Sequence, residues 1–142
     1  MARRTLVAVS RPDGRFDCRY AHWGPANRSR PLGDGWTATD VLHALDAGFD
    51  QFQLVVRDGA TRRYAVCWLD PTLADPDDIA LARTDDPEAL QAWWAGRKDA
   101  AVGAVADGAP PERVRAALRA VLRRRATAVY LPDDASFLRG GR

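Results

Sequence analysis

The sequence predicts an α+β domain: an antiparallel sheet of four to five strands in the order ββαββ-α-α-β, with the helices mainly on one face. Three observations carry this reading. Two turn signals, Pro12-Asp13-Gly14 and Asp58-Gly59-Ala60, each sit between β-rich runs, which is the local signature of a hairpin. Residues 111–125 place apolar side chains at helical spacing. With 46% hydrophobic residues and five Trp in 142 residues, the chain has enough apolar material for one core, so residues 1–142 are read as a single domain.

The first strand runs from Arg4 to Ser10 and the second from Arg15 to Trp23. Pro12 presets φ for the turn between them, and Gly14 accepts the positive φ where the chain reverses. In the second strand Phe16, Cys18, Tyr20 and His22 share one face, while Asp17, Arg19, Ala21 and Trp23 share the other. The first set is the more apolar and is placed inward. Residues 24–36, rich in Gly and Pro, read as a loop. A short helix follows, with Thr37 or Thr39 as N-cap, Asp40 in its first turn and Gly48 as its stop.

Strands at Phe49–Arg57 and Arg62–Asp70 form the second hairpin. Residues 70–86 are dominated by Asp and Pro and read mostly as loop, with a short edge strand at Ile79–Ala82. The second helix opens with Asp86 as N-cap, Pro87 at the first helical position and Glu88 behind it, and Gly96 and Gly103 are read as points where it breaks. The third opens at Pro111, and Val114, Ala117, Leu118, Val121 and Leu122 form its apolar stripe. Residues 127–131 read as a last strand and residues 132–142 as a flexible tail.

Charge is segregated along the chain. Residues 1–36 carry seven Arg against three Asp, residues 70–107 nine acids against three bases, and residues 108–125 six Arg against Glu112 alone, for a net charge of +2. Such a chain either neutralises itself internally or presents basic surface to an anionic partner. Of 21 basic residues only Lys98 is a lysine, and the 26 Ala point to a GC-rich coding bias. That bias weakens any inference that Arg was selected over Lys for its chemistry.

The sequence shows no P-loop, no G-x-S-x-G, no HExxH and no paired C-x-x-C. His22, His43, Cys18 and Cys67 lack metal-ligand spacing, so no metal and no cofactor is expected, and both cysteines are read as reduced core residues. Asp75, Asp77, Asp78, Asp85 and Asp86 do not follow the spacing of a calcium loop and read as a solvated segment. No apolar run reaches the ~20 residues of a membrane span, and the apolar part of residues 1–10 is too short for a signal peptide. No membrane association and a cytoplasmic location are therefore expected.

The most suggestive constellation is Arg19, His22, Trp23, Asn27, Arg28 and Arg30, joined by Trp36, with Arg115, Arg119 and Arg123 as a second row on the last helix. Guanidinium groups neutralise phosphates and aromatic faces stack bases, the chemistry of single-strand or structured-RNA recognition. The competing reading is structural: core Trp, a solvated Arg face, and Arg residues paired with the acidic middle of the same chain.

The residues Arg4, Leu6, Val7 and Ala8, then Arg11 to Gly14, then Tyr20, His22, Trp23 and Gly24, form a pattern that resembles an uncharacterised family of short haloarchaeal proteins. It implies a fold and a source, and no reaction. The function expected is a small non-enzymatic protein whose Arg/aromatic surface meets nucleic acid or a ribonucleoprotein. The alternative is a protein–protein interaction or homo-oligomeric assembly protein. An enzyme built on His22 with Asp17 or Cys18 is disfavoured, because strand alternation sets Asp17 and His22 on opposite faces.

Overall fold

The structure is a computed structural model that describes residues 3–23, 28–56, 59–131 and 138. The fold is α+β, with ten elements: β1 (Arg3–Ser10), β2 (Phe16–Trp23), β3 (Arg28–Trp36), α1 (Ala38–Ala44), β4 (Gln51–Val55), β5 (Thr61–Trp68), β6 (Ile79–Arg83), α2 (Pro87–Ala106), α3 (Pro111–Arg125) and β7 (Ala128–Tyr130). The strands form one sheet in the order β3-β2-β1-β4-β5-β6-β7. All neighbours are antiparallel except β1 and β4, which pair in parallel from Thr5–Gln51 to Val9–Val55. The sheet is therefore larger than the four to five strands expected, and it is mixed. The two antiparallel halves follow from the two hairpin turns, and the parallel seam joins them at the centre.

The segment read as a loop contains β3, which extends the first hairpin to a three-stranded meander. Its sequence, RSRPLGDGW, hides a strand because Pro31, Gly33 and Gly35 are strand-poor residues. They are tolerated here because β3 is an edge strand, where Pro31 leaves no central ladder position without a donor. The pairing slips on either side of Cys18, so β3 bends as it leaves β2. Gly33 is required by contact: a Cβ there would meet the Trp36 ring nitrogen at 1.9 Å. The strand read as an edge at Ile79–Ala82 is interior, since β7 pairs outside it.

Alternation along the strands builds two cores, one on each side of the sheet. Leu6, Ala8, Phe16, Cys18, Phe52, Leu54, Tyr64 and Val66 face α1, which contributes Val41, Leu42 and Leu45. Ala65, Cys67, Leu69, Ala80 and Ala82 face α2 and α3, which supply Leu90, Trp94, Leu118 and Leu122. Two of the three helices thus share one face and α1 lies on the other. Small residues dominate the β5 and β6 side of the second core, and these let helices carrying Trp and Leu approach the sheet closely.

Thr37 caps α1 in a reciprocal box with Asp40, and Leu45 rather than Gly48 closes the helix. Asp86 caps α2 with its carboxylate accepting from the Ala89 N–H at 3.1 Å. α2 runs unbroken through Gly96 and Gly103. Both cysteines are free and buried. Of the residues expected as a tail, only Leu138 is described, and it is buried in the first core. Among the described residues no helix is long and apolar enough to cross a membrane.

Candidate nucleic-acid interface

The second core stops at β5. On the α2 side of the sheet the row Ala21–Thr5–Gln51 is buried, and beyond it the side chains of β2, β1 and β4 are exposed or half-buried and form an open patch. The registers of the three ladders place Arg19, Val7, Gln53 and Arg63 in one row across four strands. Arg19 and Arg63 are exposed, while Val7 and Gln53 are half-buried between them. Three strand spacings separate the two arginines, about 14 Å. No carboxylate among the described residues pairs with either guanidinium.

The next row is Asp17, Val9, Val55 and Thr61. Its only charge is already engaged: the Asp17 carboxylate accepts from Arg11 at 3.2 Å and from the Gly35 N–H at 3.0 Å. Arg11 also pairs with Asp13 at 2.9 Å. In these two rows the charge without an ion-pair partner among the described residues belongs to Arg19 and Arg63, and Asp85, Asp86 and Glu88 line the surface beside Arg63. The two arginines attract phosphate, since an exposed unpaired guanidinium needs no partner of its own to be broken first.

The residues singled out from the sequence do not form one surface. Arg28 and Arg30 stand across the ladder from His22 and Tyr20, one position out of phase with Arg19, which pairs with Pro31. Trp23 pairs with Arg3 at the end of β2. Asn27 lies outside the described residues. Trp36 packs, half-buried, against the first core. Arg115, Arg119 and Arg123 lie on α3, which packs beside β7. Five strand spacings, about 24 Å, separate β2 from β7.

Arg115 belongs to the structural reading. It grips Asp78 through two nitrogens at 2.7 and 2.6 Å, half-buried, and this pairing raises its pKa further. The acidic segment and the Arg helix therefore neutralise each other at that point. Asp70 organises the same segment, accepting from the Thr72 N–H and hydroxyl and from the Ala74 and Asp75 N–H groups. These bonds, the Thr72 hydroxyl foremost, hold its carboxyl down to about 2. Arg125 stacks on Trp93 at 5.5 Å and Arg97 on the same ring at 5.7 Å. Arg123 is exposed and Arg119 half-buried.

Cys18 is buried at 1% exposure, and that burial pushes its thiol up to about 12, far from a nucleophile's range. Burial also raises the Cys67 thiol. Among the described residues no three His, Cys, Asp or Glu side chains gather as a metal site would require.

Arg63 was not singled out in the sequence. The signal was present: the Asp58-Gly59 turn fixes the register of β4 and β5, and alternation against the apolar Tyr64 and Val66 puts Arg63 on the opposite side. What the sequence withheld was that β1 lies beside β4, which is what brings Arg63 into a row with Arg19.

Residues 1–30 match a family described only as a family of unknown function (DUF6735). That segment comprises β1, β2 and the start of β3, so the similarity covers the opening hairpin and one long edge of the open face. No curated protein and no solved structure matches the chain.

Proposed function

We propose that this chain is a binding module that takes a single-stranded nucleic acid across its open sheet face, with Arg19 and Arg63 contacting phosphates. The observation that carries the reading is the row Arg19–Val7–Gln53–Arg63, where two exposed guanidinium groups, without a carboxylate partner among the described residues, flank a half-buried stretch of sheet. An uncovered sheet face is the platform on which several single-strand binders lay their ligands. The net charge of +2 supports an anionic partner. It does so more strongly if the resemblance of the opening residues to haloarchaeal proteins reflects the source, since proteins of salt-filled cells are strongly acidic. Arg28 and Arg30, out of phase with Arg19 in the β2–β3 ladder, lie outside the strip in this reading, as does α3.

The test is affinity for a short labelled RNA strand at low salt. Wild type should bind, and Arg19→Ala together with Arg63→Ala should weaken binding by roughly tenfold or more, because each lost phosphate contact removes released counterions. Arg123→Ala, at the far end of the sheet, should leave affinity within twofold. Equal losses from the α3 and open-face variants would make the attraction a matter of net charge and refute the site.

A further inference from the structure

At the inner end of the open face, where α2 begins, the surface dips into a cavity of about 270 Å³. Gln51, Gln53 and Arg63 form its floor, and Asp85, Asp86 and Glu88 form its rim. Gln51 is only 8% exposed, and among the described residues its carboxamide has no hydrogen-bond partner. Solvent reaches this amide through the cavity, and a ligand's polar edge would take the place of that water. Gln53 and Arg63 are likewise unpartnered through their side chains, and they stand directly opposite each other in the β4–β5 ladder.

The three rim carboxylates differ in the hydrogen bonds they already hold. The Asp86 carboxylate is committed to the Ala89 N–H, and Glu88 has a partner of its own. Asp85 is the one rim carboxylate that is exposed and unpaired among the described residues. The unfilled hydrogen-bonding capacity is therefore one guanidinium, one carboxylate and two carboxamides, in a lining whose formal charge, with Asp86 and Glu88 counted, is negative. A negative lining repels anions and favours donors, so the part of a ligand that enters bears no phosphate and offers two adjacent donors to the free carboxylate beside an acceptor for Arg63. A guanine base has that edge: its O6 accepts from Arg63, while its N1–H and N2–H groups donate to Asp85. The carboxamides of Gln51 and Gln53 are left for the remaining edge atoms. The buried Pro87 ring supplies an apolar wall, and the volume is enough for one base.

We propose that this cavity holds a single guanine base. The inference deepens the open-face reading and rests on it for the source of the base, an unpaired guanosine in the bound strand. The same edge belongs to a free guanine nucleotide, so the experiment separates the two.

Binding is measured by anisotropy for a ten-nucleotide uridine strand and for the same strand with one central guanosine, and by calorimetry for GMP and CMP. Wild type should prefer the guanosine strand by roughly ten- to hundredfold, the usual discrimination of paired polar contacts to a base. GMP should bind and CMP should not. Asp85→Asn, an exposed position where misfolding is not expected, should bring the two strands within twofold of each other. It should also raise affinity for the uridine strand slightly, since a negative charge beside the phosphate path is gone. Arg19→Ala should weaken both strands equally and leave the preference intact. Equal affinity for both strands with no heat from GMP overturns the base pocket and leaves the open face standing. GMP binding that needs Asp85, with neither strand bound, upholds the pocket, makes the free nucleotide its ligand and overturns the open-face reading. A preference for any other base, or no binding of any probe, overturns the pocket.

Discussion

Lys98 shows how one residue joins the two faces of the account, local chemistry and stability. It is the only lysine in the chain and is 9% exposed, with its ammonium donating to the carbonyls of Trp68, at 3.0 Å, and Asp70, and lying 4.9 Å from the Trp68 ring. Burial lowers its pKa from 10.5 to about 8, against the opposing pull of Asp70 and Asp78. Between about pH 8 and 10.5 the unfolded chain therefore holds a proton that the folded protein has released. Stability from this group rises with pH through that window and is least favourable below it. The urea midpoint of wild type, compared with Lys98→Met, should show this rise in wild type only. A parallel pH dependence in both proteins would mean that Lys98 does not titrate as its burial requires. Arg115 is the complementary case. Asp78 satisfies it in a half-buried two-bond pair, so Arg115→Ala should cost stability, by about 1–3 kcal/mol in thermal unfolding, and should leave RNA affinity within twofold.

At the scale of the element, the turns and caps were legible and the edges were not. Pro12-Asp13-Gly14, Thr37 and Asp86-Pro87 each place a boundary through chemistry confined to a few residues, and each boundary lies where that chemistry puts it. β3 was hidden because its Pro and Gly positions are unfavourable in a strand of unknown surroundings and harmless only at an edge. α2 illustrates the converse. Gly96 and Gly103 read as breaks, yet twenty residues of helix run through them, because Trp94, Lys98 and Ala101 fasten that face to the sheet. A Cβ at either glycine meets nothing within 4 Å. Gly96→Ala and Gly103→Ala should therefore each stabilise the protein by about 0.5–1 kcal/mol, raising the thermal midpoint, since alanine loses less backbone freedom on folding. A lowered midpoint would show that the helix needs flexibility there. Both sheet edges are guarded, β3 by Pro31 and its bend, and β7 by its three-residue length, so strand-to-strand association of two copies is poorly served.

At the scale of the whole molecule, the decisive fact is one the sequence could not express. Hairpin turns specify neighbours close in sequence, and nothing local states that β1 lies parallel to β4, with two strands and a helix between them in the chain. That single pairing puts Arg19 and Arg63 on one face and leaves the Arg row of α3 at the opposite end. Candidate residues chosen by composition were therefore split between two distant regions, while the residue that completes the row, Arg63, passed unremarked. The face is read as a phosphate-binding surface because these two guanidinium groups are exposed and without a carboxylate partner among the described residues, and salt tests that claim most directly. The measurement is the slope of log affinity against log salt for a uridine strand, in wild type and in Arg19→Ala with Arg63→Ala. The account predicts a slope shallower by about 1.4 in the double variant, two contacts at about 0.7 each on a single strand. An unchanged slope would contradict it, because phosphates would then be held somewhere other than the open face.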